Sequence, residues 1–159
     1  MFKVGDLAVY PAHGVGKIES IESKTIGGDK QDFYIMRILE NDMKIMIPTQ
    51  NAEAVGLREL IASHDVPKVY EILKTKEISV NGGTWNRRYR EYMEKIKTGS
   101  IYELAEVLRD LTVLKGDKEL SFGERKMLDT ARGLLLKELS IVLTVSENQL
   151  EENITDLLK

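Results

Sequence analysis

The chain has 159 residues, 42% of them hydrophobic and 31% charged, with 23 Lys and Arg against 26 Asp and Glu. That size and balance suit one globular unit or two small ones, and they argue against a chain that coats DNA wholesale while leaving room for a local basic patch. With no Cys, disulfides, thiolate zinc sites and Cys nucleophiles are excluded together, and no apolar run approaches the roughly 18 residues of a membrane span. The opening Met1-Phe2-Lys3-Val4-Gly5-Asp6 carries no apolar h-region, so a soluble, cytoplasmic protein is expected.

The first fifty residues follow the grammar of strands. Segments 7–10, 15–24, 32–39 and 43–47 are short, rich in Val, Ile, Tyr and Phe, and separated by turn chemistry at Gly14, Gly27-Gly28 and Glu40-Asn41-Asp42. They predict a small, strongly curved antiparallel sheet closing on itself. Pro48 ends the last strand, because it has no N–H to give a ladder.

From about residue 51 the period becomes helical. Pro67 marks a first turn, with Val66, Val69, Tyr70 and Leu73 on one face. A turn at Val80-Asn81-Gly82-Gly83 leads to a helix starting near Thr84, whose apolar stripe is Tyr89, Tyr92, Met93 and Ile96. Ser100 with Glu103, Ser121 with Glu124 and Ser146 with Gln149 read as capping boxes opening three more helices, the last with Val145 and Leu150 as a hydrophobic staple. The expected architecture is α+β: an N-terminal antiparallel β-barrel over 1–52, a linker over 53–64, and an all-helical domain over 65–159.

Reactive groups do not converge. His13 and His64 stand without a partner at metal-binding spacing, and they read as a turn residue and a residue near a helix cap. Gly14-Val15-Gly16-Lys17 lacks the Ser or Thr and the helix start of a P-loop, and Glu19 occupies the third glycine position of a dinucleotide fingerprint. No enzymatic activity, cofactor or metal is expected.

The informative stretch is Thr84-Trp85-Asn86-Arg87-Arg88-Tyr89-Arg90 with Lys95 and Lys97. Five basic side chains against Glu91 and Glu94 put a net charge of +3 on one short helix of a −3 protein, a footprint suited to a phosphate backbone. Trp85, the only tryptophan, reads either as a core aromatic in phase with Tyr89 and Tyr92 or as a stacking wedge flanked by arginines. Arg125 and Lys126 either extend that patch or are plain surface charge.

Val4-Gly-Asp-Leu-Ala-Val-Tyr-Pro-Ala-His-Gly-Val-Gly16 resembles the opening of the CarD/CdnL-type bacterial transcription regulators, whose N-terminal module is shared with the transcription-repair coupling factor. The resemblance runs through Arg37-Ile-Leu-Glu-Asn-Asp-Met-Lys-Ile-Met-Ile-Pro48 and Val55-Gly-Leu-Arg-Glu59. It is strongest in Thr84-Trp-Asn-Arg-Arg-Tyr-Arg-Glu-Tyr-Met-Glu-Lys-Ile-Lys-Thr-Gly99 and Leu120-Ser-Phe-Gly-Glu-Arg-Lys-Met-Leu-Asp-Thr-Ala-Arg132. It covers nearly the whole chain in colinear order, the last dozen residues matching least.

The resemblance implies a non-enzymatic factor, a monomer, that docks a Tudor-like barrel on the β subunit of bacterial RNA polymerase. Its helical domain would contact promoter DNA at the upstream fork of the bubble without strong sequence preference, stabilising the open complex and placing the protein with polymerase on the nucleoid. The family's wedge falls on Trp85 and its basic cluster on Arg87, Arg88 and Arg90, with Arg125 and Lys126 as additions. The polymerase-facing strand falls on Lys44, Met46 and Pro48. One branch of the family has a basic residue where this chain has Met46, so apolar docking is expected there. Two rival readings are a peptide-binding module with an aromatic cage of Tyr10, Phe33 and Tyr34, and a hydrolase with a carboxylate site of long sequence separation.

Overall fold

A computed structural model describes residues 2–75, 85–117 and 119–158, the side chains of 85–87 and 116–117 excepted. The chain divides into two compact units, Met1–Leu60 and Ile61–Lys159.

The first unit is a curled four-stranded antiparallel sheet, a half-barrel, in the order β1 (Leu7–Tyr10), β2 (Gly14–Ile26), β3 (Asp29–Ile38) and β4 (Lys44–Pro48). A register shift between Ile18 and Ser20 leaves Glu19 as the extra residue of a bulge, the device that bends a strand and increases its twist. The sheet buries one face around Ala8, Ile18, Tyr34, Met36, Ile38 and Ile47. Phe2 covers that core's end, its ring edge-on to Tyr34 and its N–H donating to the Tyr34 hydroxyl (3.2 Å).

Strands β2 and β3 run longer than the sequence reading has them, to a two-residue turn at Gly27-Gly28. Both glycines have positive φ, 60° and 89°, as a tight primed hairpin turn requires. Residues 21–32 are exposed on both faces, so this ribbon lacks the alternation that marks a half-buried strand. The edge of β1 is not left bare: Val9 N–H donates to Arg58 O (2.8 Å) and Arg58 N–H to Val9 O (3.1 Å). Leu57 is buried with the sheet core. Leu57 and Arg58, which lie in the linker expected over 53–64, thus make contacts with the sheet.

Gly16 shows how tightly β2 and β3 pack. A Cβ there would lie 2.6 Å from Met36 Cε and 2.9 Å from the Arg37 carbonyl oxygen. The methionine tip can move; the backbone oxygen cannot without breaking the ladder. Gly16→Ala is therefore expected to destabilise this unit by about 1–2 kcal/mol, within the range for overpacking, measured as a lowered urea midpoint with unchanged slope.

The second unit holds five α-helices among the described residues: α1 (Val66–Lys74), α2 (Trp85–Lys97), α3 (Ile101–Asp117), α4 (Phe122–Leu143) and α5 (Glu147–Leu158). Their apolar stripes meet in one core. It includes Val69 and Leu73 of α1, Tyr92 and Ile96 of α2, Leu108 and Leu111 of α3, Leu135 and Leu139 of α4, and Leu150 and Ile154 of α5. None of these helices is long and apolar enough to cross a membrane.

Helix starts differ in how they are capped. Ser121 and Glu124 form the full reciprocal box, Glu124 N–H to Ser121 Oγ (3.2 Å) and Ser121 N–H to Glu124 Oε1 (3.1 Å). At Ser100 the expected box is replaced: its N–H goes to Thr98 Oγ1 (3.2 Å), and the Glu103 carboxylate lies against that same hydroxyl. Gln149 N–H donates to Ser146 Oγ (3.1 Å), but Val145 stays exposed, so no buried staple forms with Leu150. The expected turn at 80–83 and the start at Thr84 lie outside the described residues.

Candidate functional site

On the body of the sheet, the outer edge of β4 has no strand partner among the described residues. Ile38 N–H donates to Met43 O (2.8 Å), and β3 and β4 continue in register from Arg37 with Lys44 to Phe33 with Pro48. In an antiparallel pair the bonded positions alternate. Ile45 and Ile47 therefore turn their main-chain groups to β3, while Lys44, Met46 and Pro48 turn theirs to the open side. Pro48 occupies the one kind of position where its missing N–H breaks no ladder bond. Seen from outside, the edge offers donors and acceptors at Lys44 and Met46 and only a carbonyl at Pro48.

The side chains of Lys44, Met46 and Pro48 share the face opposite the core, beside Ile35 and Arg37 across the strand. Met46 is 44% exposed, although it is a large apolar residue next to the half-buried Ile35. An ionic rim borders this apolar spot. Arg37 donates to Glu19 and to Asp42 (2.8 Å), and Lys44 Nζ lies 3.8 Å from Glu19. The bonds to Asp42 and then Glu19 push the Arg37 guanidinium above its ordinary pKa. Lys44 therefore shares its charge with an acid already on the sheet, and the exposed methionine is the feature left for a partner to cover.

In the helical unit the side chains of Trp85 and Arg87 lie outside the described residues; the backbone there is helical. Arg90 and Lys97 are exposed, as are Arg125 and Lys126 in the first turn of α4, and none of the four has an acidic partner among the described residues. Lys95 is different: it pairs with Glu106 of α3 at 2.9 Å, so its charge is balanced within the fold. Arg88 is half-buried, with Nε enclosed. Tyr89, expected in the apolar stripe, is 41% exposed.

One residue that the sequence reading gave no site role stands out here. Phe122, between the N-cap Ser121 and Arg125, is 75% exposed. Its signal was an aromatic at the first position of a capped helix, where a side chain precedes the core-facing stripe. Exposed aromatic area flanked by unpaired cations is the composition of a nucleic-acid contact.

Behind this surface lies a polar cluster. Burial pushes the buried Tyr92 hydroxyl up to about 12, with the Asp110 charge adding to it and Arg88 opposing it. Desolvation also raises Asp110, against the hydrogen bond from Arg109 Nε (3.0 Å).

The remaining candidates do not converge. Phe33 and Tyr34 are adjacent in a strand and so point to opposite faces, which prevents one cage from using both with Tyr10. His13 packs edge-on against Tyr10 with Nδ1 3.1 Å from the Pro11 carbonyl, and His64 lies 3.6 Å from Asp65.

Residues 2–61 match the family model for the CarD-like/TRCF RID domain, and residues 68–155 match that for the CarD C-terminal domain. The chain is 36% identical over 154 residues to "Putative transcription factor YdeB" of Bacillus subtilis (strain 168), covering 95% of this chain and 98% of that protein. Among solved structures, "CdnLNt from Myxoccoccus xanthus" is 52% identical, covering 40% of this chain and 89% of that one with a TM-score of 0.34. With both family models matched in order on one chain, and a relative similar along almost its whole length, this protein belongs to the CarD/CdnL-type family of transcription factors.

Proposed function

We propose that this protein docks on the β subunit of bacterial RNA polymerase through the open edge of β4 and contacts promoter DNA at the upstream fork through its helical unit, stabilising the open complex. The observation that carries the docking half is the unpaired β4 edge with Met46 exposed beside it. An edge of this kind lengthens a partner's sheet by main-chain pairing, and a neighbouring apolar side chain gives the contact its anchor. Lys44, Met46 and Pro48 are the residues assigned to it.

The DNA half is assigned to Trp85, Arg87 and Arg90 on α2 and to Arg125 and Lys126 on α4. A few unpaired cations give weak, salt-sensitive binding with little sequence preference. Such binding becomes useful when a second contact supplies effective concentration, and the grip on polymerase does so without any gain in intrinsic DNA affinity. Holding one base step unstacked at the fork requires only a few kcal/mol, within reach of an aromatic wedge and its flanking arginines. The protein then works as a cytoplasmic monomer, on the nucleoid with polymerase.

The test is capture of polymerase by the purified chain, followed by open-complex lifetime with and without it. A lengthened lifetime is expected, and capture of no polymerase subunit overturns the reading. Within that assay, Met46→Ala is expected to weaken polymerase binding by about 1–2 kcal/mol, the scale for a buried apolar anchor. Unchanged affinity moves the contact off this edge.

A further inference from the structure

We infer that Arg88 is a positioning residue whose guanidinium pairs with the Glu124 carboxylate, tying α2 to the capped first turn of α4, and that it does not belong with the phosphate-contacting arginines. Glu124 is 3% exposed, one of two buried carboxylates in α4, the other being Glu138. Its Oε1 accepts the Ser121 N–H of the capping box, whereas Oε2 is buried and has no hydrogen-bond partner among the described residues. Arg88 Nε is likewise buried and without a hydrogen-bond partner among the described residues.

These two unfilled groups are complementary, one N–H donor and one carboxylate acceptor. A guanidinium cannot shed its proton on burial, so an enclosed Nε–H has to find an acceptor. Of the other acids that act on Tyr92, Asp110 already receives Arg109, and Glu91 belongs to α2 itself and has an interaction of its own. Helix α2 packs on both α3 and α4, and Tyr92, one turn after Arg88, is buried at their junction. The charges of Arg88, Asp110 and Glu124 all act on the Tyr92 hydroxyl, which places the two orphan groups in one neighbourhood.

Glu124 would then do two things at once. One oxygen caps α4; the other holds α2, so that the first turns of both helices keep a fixed relation. For DNA the consequence rests on the function proposed above: the exposed cations of α2 and α4 act as one surface because Arg88 is turned inward to fasten it.

The test begins with the wild-type chain. By NMR, the Arg88 Nε–Hε proton is expected to exchange with water at least roughly tenfold more slowly than that of Arg90, as protection by burial and pairing requires. Glu124→Gln keeps a capping-box residue while removing the acceptor charge, and it should shift the Arg88 resonance and speed its exchange. In a double-mutant cycle on thermal midpoint, Arg88→Met should cost about half as much or less in the Glu124→Gln background as in wild type. Arg88→Met should leave the slope of log affinity for duplex DNA against log salt unchanged, whereas Arg90→Gln lowers it by about 0.9.

Exchange at Arg88 as fast as at Arg90, an additive cycle, or a slope lost on Arg88→Met each overturns the inference. The exchange measurement needs no substitution at Arg88, so the inference stays testable if Arg88→Met fails to fold. If the wild-type chain shows no affinity for DNA, the proposed function loses its DNA half, while exchange and the cycle still decide the pairing.

Discussion

Raising salt fourfold is expected to lower the affinity of this chain for duplex DNA by about 1.6 log units, the value for roughly three phosphates neutralised. Replacing Arg90, Arg125 and Lys126 by Gln should remove most of that dependence. On sequence alone the charge belongs to one helix, five basic residues against two acidic over 84–97. The fold redistributes it. Lys95 is neutralised by Glu106, and Arg88 is half enclosed. The cations free to meet phosphate are instead shared between α2 and the first turn of α4, where Arg125 and Lys126 flank the exposed Phe122. Removing α2 charges alone therefore leaves a residual slope, and the triple replacement is the decisive variant. Affinity insensitive to salt, or strong discrimination among unrelated duplexes, counts against an electrostatic contact. Polymerase binding should be unaffected by the triple replacement, since Lys44, Met46 and Pro48 lie in the other unit.

What was legible in the sequence follows from where burial writes a pattern. The apolar stripe of α1 matches its buried residues Val66, Val69 and Leu73 because one face of that helix meets the core of the helical unit. The capping box at Ser121 was readable because both of its partners are local, three residues apart. At Ser100 the same spacing misled: Thr98, two residues upstream, offers a nearer hydroxyl than the box supplies. The strands of the β2–β3 hairpin reach beyond the predicted 15–24 and 32–39 because residues 21–32 are exposed on both faces, which leaves alternation nothing to record. Its Gly27-Gly28 turn was the better guide.

Interactions across long separations leave weaker traces. Nothing local in Val55-Gly56-Leu57-Arg58 announces pairing with Val9, and the run reads as connector. The charge count on α2 likewise could not distinguish Arg90, which faces water, from Lys95, whose partner comes from the next helix. Motif thus assigns the candidate surface to α2 and α4, while which of its charges remain available depends on tertiary contacts.

The strongest single effect on the helical unit is expected at a residue with no motif at all. Glu138 lies in α4 between Leu135 and Leu139, both fully buried, and is itself 1% exposed. Its Oε2 accepts the backbone N–H of Ile61 at 2.8 Å, 77 positions away in sequence. Ile61 is the first residue of the unit and precedes any helix, so its N–H has no ladder or helical turn to join. A carboxylate in an apolar stripe is costly unless it is hydrogen-bonded, and here the hydrogen bond fixes where the chain enters the bundle. Glu138→Ala removes the acceptor and also leaves a cavity among leucines, and about 2–4 kcal/mol of stability should be lost. Glu138→Gln keeps a carbonyl acceptor of the same reach and should cost about 1 kcal/mol or less. Denaturant titration of the full chain, followed by helical circular dichroism, measures both. Amide exchange at Tyr34 and Met36 reports on the sheet unit in the same samples. Those amides should keep their protection in both variants, because they belong to a separate compact unit with its own core. An alanine variant within about 0.5 kcal/mol of wild type, the scale of an ordinary surface change, means the entry at Ile61 is held by its side chain and not by this bond. A glutamine variant as damaged as the alanine one means the charge of Glu138, and not its acceptor geometry, is what the bundle requires.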